Sequence, residues 1–529
     1  MGQMNWPACQ IYQIIYMKSA STMMKNTLLL AANSIAIRFF VLCFQAYLAA
    51  KLGAEQLGIF GIITSVGAVF ATISISGVRF GVTRIVAEEI SVGNEYPRSF
   101  MGCAFRYGMF FGTVAGAGLY MLSGVISKCY IGDVEAALPL KIIALSMPAI
   151  SLGSCVEGYF TAKQKIFRLI SVQLISQCAR IGFVLVVFGI IRGSEFYPAD
   201  ILATGTAVGE FVFASGMLAL YFCETRKHRK KKSDRQCLSR LVKIASPLAV
   251  SAYMRTGLSS LGQVIIPSGL KKAGMTSVGA FASYGIIAQM AIPVIMFPAA
   301  LMSALGEVLV PRLTEAQVGN KKLGISYIVN RALRIGIMFS FGIMGIMLFY
   351  SDDLAVAIYK NSQAGQYIKI LAPIIPIIYI DCITDGCLKG LGQQVYSMIY
   401  NVLEGVINVV LLFILLPKAG LAGYMAVMYI KEVFNTVISL YRLGKVAALE
   451  KEVAMITAVT ICMTGAWLSG NILARSGAVP LKIVIYCTCY VALLYVVNYV
   501  SREDIKWVAN LLNPRKHITP QNSAVNVKR

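Results

Sequence analysis

Two arginines stand where a chain can least tolerate a charge. Arg38 is the only charged residue in the apolar stretch from Asn26 to Ala50, and Arg255 lies in the middle of a second apolar stretch, 243–266. Each stretch is long enough to cross a bilayer core, which takes about 20 apolar residues. A cation at that depth costs roughly 2.5–3.5 kcal/mol even on the lenient insertion scale, so it should face a cavity or a partner rather than lipid. Neither stretch contains Asp or Glu, so neither helix supplies its own counter-ion. A guanidinium stays charged and presents a planar fork of donors that matches phosphate oxygens. Phosphate recognition is therefore the chemistry these positions suggest.

The neighbours sharpen that reading. At the helical repeat, Thr27, Ser34, Arg38 and Gln45 fall within about 40° of one another, and Ser251, Arg255, Ser259 and Gly262 within about 80°. Arg38, Arg255, Ser34, Gln45 and Ser251 are the candidate substrate-binding residues, lining a wet, positively charged central cavity. Arg79, Arg84 and Arg106 lie toward the inner ends of their helices and form a candidate inner vestibule, with snorkelling as the plainer alternative. Arg180 with Glu210, and Lys431 with Glu432 and Glu404, read as structural pairs. Catalysis has no candidates. There is no Walker motif and no metal-ligand cluster, and the two histidines, His228 and His517, fall in polar segments. The expected cofactor set is empty, with Na+ or H+ as a possible coupling ion.

The positioning elements follow from composition. The chain has 529 residues, 57% hydrophobic and only 14% charged, where soluble domains carry about 25% charge. Mean hydropathy is +0.71. Apolar runs recur along the whole length, which predicts an all-α, polytopic membrane protein of fourteen helices and excludes a β-barrel. Predicted helices lie near 26–50, 57–86, 99–126, 136–160, 166–191, 198–222, 243–266, 279–307, 325–350, 364–388, 395–416, 420–441, 453–473 and 481–500. The net charge of +24 is concentrated in alternate loops, which predicts both termini on the cytoplasmic side of the cell membrane and argues against nucleic acid. The thirteen cysteines contain no CxxC and read as free thiols. No signal peptide or myristoylation pattern opens the chain.

The resulting organisation is an N-terminal segment 1–25, an N-lobe 26–222, a basic linker 223–242, a C-lobe 243–441, a helix pair 453–500, and a tail 501–529. Ser501-Arg502-Glu503-Asp504 reads as a capping box opening a short interfacial helix. Gly108-x3-Gly112-x3-Gly116 reads as a close-packing face. The two lobes repeat. Lys51-x-Gly53-x4-Gly58-x-Phe60 returns as Lys272-x-Gly274-x4-Gly279-x-Phe281. Val92-Gly93-Asn94 returns as Val318-Gly319-Asn320, and Pro148 with Glu157-Gly158 returns as Pro376 with Asp385-Gly386. Six helices per unit puts both lobes in one orientation, related by an axis along the membrane normal, with the substrate site between them.

Several stretches carry a family resemblance: LGAEQLGIFGIITSV (52–66), VAEEISVGN (86–94), FPAALMSALGEVLVPRLTEA (297–316), GLGQ (390–393) and LPKAGLAGY (416–424). In order and spacing the chain resembles the polysaccharide-biosynthesis and stage V sporulation protein B branch of the multidrug/oligosaccharidyl-lipid/polysaccharide exporter superfamily. The resemblance implies two six-helix lobes in a V and a terminal helix pair. It implies export of an undecaprenyl-pyrophosphate-linked saccharide, a cell-wall, spore-cortex or polysaccharide precursor, by alternating access. It also implies that arginines at the positions of Arg38 and Arg255 hold the pyrophosphate, with the last two helices forming a groove for the lipid tail. The related murein lipid II flippases carry an acid beside the first of these arginines; Ile37 and Phe39 stand there in this chain. The expected partners are thus a lipid-linked saccharide and membrane lipids, around a monomer. Two rival readings are a cation/drug antiporter, which needs a carboxylate in the cavity, and a membrane scaffold with a sealed lobe interface.

Overall fold

The computed structural model describes residues 6–92, 97–190, 197–226, 237–450, 453–473, 479–501, 503–504 and 506–507. The basic run after Arg226, Gly93-Asn94, both histidines, and the tail beyond Trp507 lie outside the described residues. All regular elements among the described residues are helical. The first half comprises α1 (Trp6–Ile75), α2 (Val78–Ser91), α3 (Arg98–Val125), α4 (Ala137–Ala162), α5 (Ile166–Ile190) and α6 (Pro198–Thr225). The second comprises α7 (Cys237–Lys272), α8 (Ser277–Gly285), a π turn (Ile286–Ala291), α9 (Ile292–Val318), α10 (Lys322–Phe349), α11 (Ser351–Tyr359), α12 (Ser362–Leu371), α13 (Ile375–Gly390) and α14 (Gln394–Gly444). α15 (Val453–Leu473) and α16 (Val479–Val496) complete the chain.

Eleven of these helical stretches are long and apolar enough to cross a membrane. Two of them are bent at glycine: α1 at Gly53 (φ 78°) and α14 at Gly420 (φ 54°). α7 carries a charged stripe and is not among the eleven. The multi-pass all-α class stands on these lengths, while the number fourteen stays an expectation of the sequence. The stretch 57–86, predicted as one helix, is two. Ser76 (φ 43°) and Gly77 (φ 70°) break it between α1 and α2. Likewise 364–388 is interrupted by a 3-10 turn at Ala372–Ile374, where Pro373 removes a backbone donor.

The sequence repeat has a physical basis in its turns. Gly53 and Gly274, the matched glycines, both take left-handed φ, at 78° and 96°. A β-carbon there is disfavoured by local sterics even though neither would touch a neighbour. Downstream of the turns, the second arm of α1 meets α8 backbone to backbone. A Cβ on Gly58 would lie 2.2 Å from the Phe281 carbonyl oxygen, and one on Gly285 would lie 1.9 Å from that of Ala54. The Gly108, Gly112 and Gly116 stripe does the same for α3 against α4, each Cβ coming within 2.8 Å of an α4 atom.

Within the N-lobe α4 packs on α3 and α6, and within the C-lobe α13 packs on α9 and α14. The lobes meet where α1 lies on α7, α8 and α9, and where α2 lies on α7. The capping box forms as its residues predict. The Asp504 carboxylate accepts from the Ser501 amide (2.9 Å) and hydroxyl (2.7 Å), and the Asp504 amide donates to the Ser501 hydroxyl (3.2 Å). Arg331 of α10 binds Asp504 at 2.9 Å and so ties the segment after α16 to the C-lobe. Burial raises the Asp504 carboxyl, but the Ser501 hydrogen bonds and nearby Arg331 outweigh it and hold it below the usual range.

Candidate functional site at the lobe seam

Gln45 of α1 donates to Gln289 Oε1 across the seam at 3.3 Å. Gln289 belongs to the π turn, a geometry that inserts an extra residue and recurs at functional positions. On its N-lobe side it closes a small void shared with Gln45, Gln177 and Arg180. On its C-lobe side it lines a cavity of about 360 Å³ bordered by Ser259, Gln263, Asn408, Ile292 and Lys431. Tyr284 donates to Gln263 Oε1 at 3.0 Å and holds that amide in place. Gln289 therefore links the amide of Gln45 in the N-lobe to the polar cavity inside the C-lobe.

Neither lead-helix arginine lines either of these voids, but each connects to the C-lobe cavity through a residue one helical turn from its wall. The Arg38 guanidinium donates from Nη1 to the Met296 carbonyl at 3.1 Å. Met296 is one helical turn beyond Ile292, which lines the cavity. Arg255 is one turn before Ser259 and within about 40° of it on the helix face. α7 and α8–α9 run in opposite directions from a tight turn, so these two steps lead away from the cavity toward the same side. Arg38 and Arg255 are both outside any ion pair among the described residues. Arg38 has Glu307 as an electrostatic neighbour without contact, and Arg255 is exposed. Among the other candidates, Ser34 is exposed and donates to its own helix at the Leu30 carbonyl (3.0 Å). Ser251 is half-buried one turn before Arg255.

The three vestibule candidates separate. Arg79 pairs with Glu157 at 3.1 Å, and Arg84 pairs with Glu88 at 3.1 Å. Glu88 also binds Arg240 of α7 at 2.6 Å, closing α2 against the C-lobe. Arg106 instead enters a lateral cavity between α3 and α7. The two internal charge groups also differ. Lys431 contacts Glu404 at 3.1 Å and Glu432 at 2.7 Å. Arg180 and Glu210 are electrostatic neighbours without a contact pair.

One place has the donors for a small cation. Asn435 Nδ2 donates to Asp381 Oδ2 at 3.1 Å, and the Ser439 hydroxyl also reaches Asp381. Asp381 Oδ1 and Asn435 Oδ1 remain buried with no hydrogen-bond partner. Two orphaned oxygens beside a hydroxyl are a hard donor set suited to Na+ or a proton.

An apolar groove of about 680 Å³ runs between α10 and α16, walled by Met338, Phe339, Ile343, Tyr490 and Val491. Its only polar accents are the Tyr486 and Tyr490 hydroxyls, spent on the Gly342 and Met338 carbonyls (3.2 and 2.7 Å), and Asp504 at one end.

Solved structures share this fold. The chain superposes on the lipid II flippase MurJ in its inward closed conformation with a TM-score of 0.68 at 13% identity, covering 89% of this chain and 98% of that one. An inward-facing multidrug resistance MATE family transporter of the MOP superfamily gives 0.60 at 12% identity, covering 78% and 96%. The chain has the MOP-superfamily fold. A MatE family model matches residues 272–414, the stretch that holds the π turn and Asp381. Along the whole chain it is similar to Stage V sporulation protein B of Bacillus subtilis (strain 168), 23% identical over 508 residues, 92% of this chain and 97% of that protein. With eleven helical stretches long and apolar enough to cross a bilayer among the described residues, the chain is a multi-pass membrane protein.

Sequence reasoning found the arginines but missed Gln289. It is the lone amide in the apolar run Ile286–Met296, which was the available signal. The π turn that aims it at Gln45 leaves no mark on hydropathy.

Proposed function

We propose that the protein moves a polyprenyl-pyrophosphate-linked saccharide across the cell membrane, with undecaprenyl as the carrier, from the inner to the outer leaflet. The observation that carries this reading is the pair Arg38 and Arg255 on the two lead helices, neither with a carboxylate in contact: Arg255 stands one helical turn from Ser259, and Arg38 is bonded to Met296, one turn from Ile292, and both Ser259 and Ile292 wall the polar C-lobe cavity. A pyrophosphate cannot cross about 30 Å of hydrocarbon unless charge-assisted hydrogen bonds replace its water. Two guanidiniums on opposing lobes supply such bonds, with Gln45, Ser34 and Ser251 as the adjoining polar contacts. The saccharide occupies the seam while the polyprenyl chain lies in the apolar groove between α10 and α16. In this reading both termini are cytoplasmic, the protein works as a monomer, and Na+ or H+ at Asp381 and Asn435 couples the cycle.

The Arg38–Met296 bond gives alternation a physical handle. The carbonyl belongs to the other lobe, so parting the lobes frees the guanidinium, and a bound pyrophosphate competes for the same donor. Cation/drug antiport is less well served. It needs an available carboxylate in the cavity, whereas the charged residue that lines it is the cation Lys431, held by Glu404 and Glu432; Asp381 lies outside that lining.

The test is translocation in proteoliposomes. A fluorescent undecaprenyl-pyrophosphate disaccharide is loaded in one leaflet, and its arrival in the other is read by an impermeant quencher. Wild type should accelerate arrival, Arg38→Ala with Arg255→Ala should return it to the protein-free rate, and the double lysine variant should keep part of it. Wild-type vesicles indistinguishable from empty ones would end the proposal.

A further inference from the structure

A cavity of about 620 Å³ opens on the side of the molecule between α3 of the N-lobe and α7 of the C-lobe. Its walls are apolar and outward-facing: Phe110 is 61% exposed, Val250 56% and Leu238 52%. In a bilayer such walls meet hydrocarbon. Water in a groove of this kind would be poorly solvated, whereas an acyl chain fills it without penalty. The hydroxyls at its floor are already engaged with each other. Tyr253 donates to Ser76 Oγ at 2.7 Å, and Tyr107 donates to the Ser76 carbonyl at 3.0 Å.

Arg106 is different. It is exposed, lines the same cavity, and makes no hydrogen bond or ion pair with a described residue. It sits eight residues into α3, about 12 Å from the Arg98 end, close enough for its stem to reach toward the headgroup boundary. An unmatched cation at the mouth of an apolar groove asks for a ligand with one anionic group and one long apolar chain.

We propose that this groove is a resident site for an anionic glycerophospholipid, its phosphate on Arg106 and one acyl chain between α3 and α7. The walls come from both lobes, and the floor is the Ser76–Gly77 break. The lipid therefore binds the arrangement in which α3 and α7 are close, and favours it over one in which they part. The site is separate from the central seam and does not depend on what the seam transports.

Photolabelling of the full chain in proteoliposomes tests this. The probes are a phosphatidylglycerol and a chain-matched phosphatidylcholine, each with a diazirine in one acyl chain, and labelled peptides are located by mass spectrometry. Phosphatidylglycerol should label the peptides of Phe110–Phe111 and Val250 about tenfold more than phosphatidylcholine, the size of one charge-assisted contact. Arg106→Gln should remove that preference and Arg106→Lys should keep most of it. Ser246→Trp, which fills the groove from α7 and leaves Arg106 in place, should lose labelling by both probes. It decides the matter if Arg106→Gln does not fold. Equal labelling by the two headgroups, or labelling that survives Ser246→Trp, overturns the proposal. So does displacement of the probe by equimolar undecaprenyl pyrophosphate, which would assign the groove to a transported lipid.

Discussion

The two lobes answer the same problem, charge inside a membrane, in different ways. In the C-lobe the ammonium of Lys431 is clamped between Glu404 and Glu432, while Arg255 stands exposed with no acid in contact. In the N-lobe Arg180 and Glu210 feel each other without touching, while Arg38 is held by a backbone carbonyl of the opposite lobe. Of these four cations, Lys431 is fully committed to acids, Arg255 is uncommitted, and Arg180 and Arg38 have partial arrangements. A contact ion pair fixes a helix, whereas a single bond to a carbonyl across the seam fixes only one conformation. Lys431 therefore reads as a fixed structural group, and Arg38 as the group whose environment changes when the lobes move.

That contrast can be broken at several points. The largest effect should come from Lys431→Met, which strands two carboxylates and should destabilise by about 3–5 kcal/mol. Arg180→Met should cost clearly less, because no contact pair is lost. Thermal unfolding in detergent compares the two, and equal losses would erase the distinction between the lobes. Next are the arginines at the seam. Arg255→Ala should slow translocation of the lipid-linked substrate about 10- to 100-fold, the worth of a charged hydrogen bond. Arg38→Ala should slow it less, since part of its bonding is already met by Met296. Initial rates in the quencher assay rank them, and the reverse order would remove Arg255 from the site. Gly285→Ala puts a methyl against the Ala54 carbonyl and should cost about 1–3 kcal/mol by forcing α8 from α1, read as a lower melting temperature. The smallest effect is at the paired turns. Gly53→Ala and Gly274→Ala should each cost about 1 kcal/mol, because both pay only for left-handed backbone. Unequal costs would show that the turns are not equivalent.

Much of this was readable from residue order. The repeat of Lys-x-Gly predicted matched turns, and both glycines are left-handed. The Ser501–Asp504 capping box and the Lys431 group were visible as local spacing and as charges at similar depth. Other features were not readable. The run 57–86 carries only scattered Ser and Thr before Arg79, and Arg79 and Arg84 read as the inner end of one helix, so its hydropathy does not mark the break at Ser76–Gly77. The break is held by Tyr107 and Tyr253, which come from helices distant in sequence. Arg79 and Arg106 look alike in sequence, yet Arg79 finds Glu157 of α4 while Arg106 lines a cavity between α3 and α7; only Arg84, paired with Glu88 four residues on, has a partner that spacing alone could give.

The sequence alone determined that this is an all-helical membrane protein with matched Lys-x-Gly turns and an arginine in each of the apolar helices that precede them. Hydropathy, charge count and glycine spacing are local quantities, and they act through solvation and backbone sterics that need no distant partner. Which arginine is held, which is open, and where Gln45 meets Gln289 were decided only by tertiary structure. Those outcomes depend on how helices hundreds of residues apart are rotated against each other at the seam, and a linear chain does not specify that rotation residue by residue.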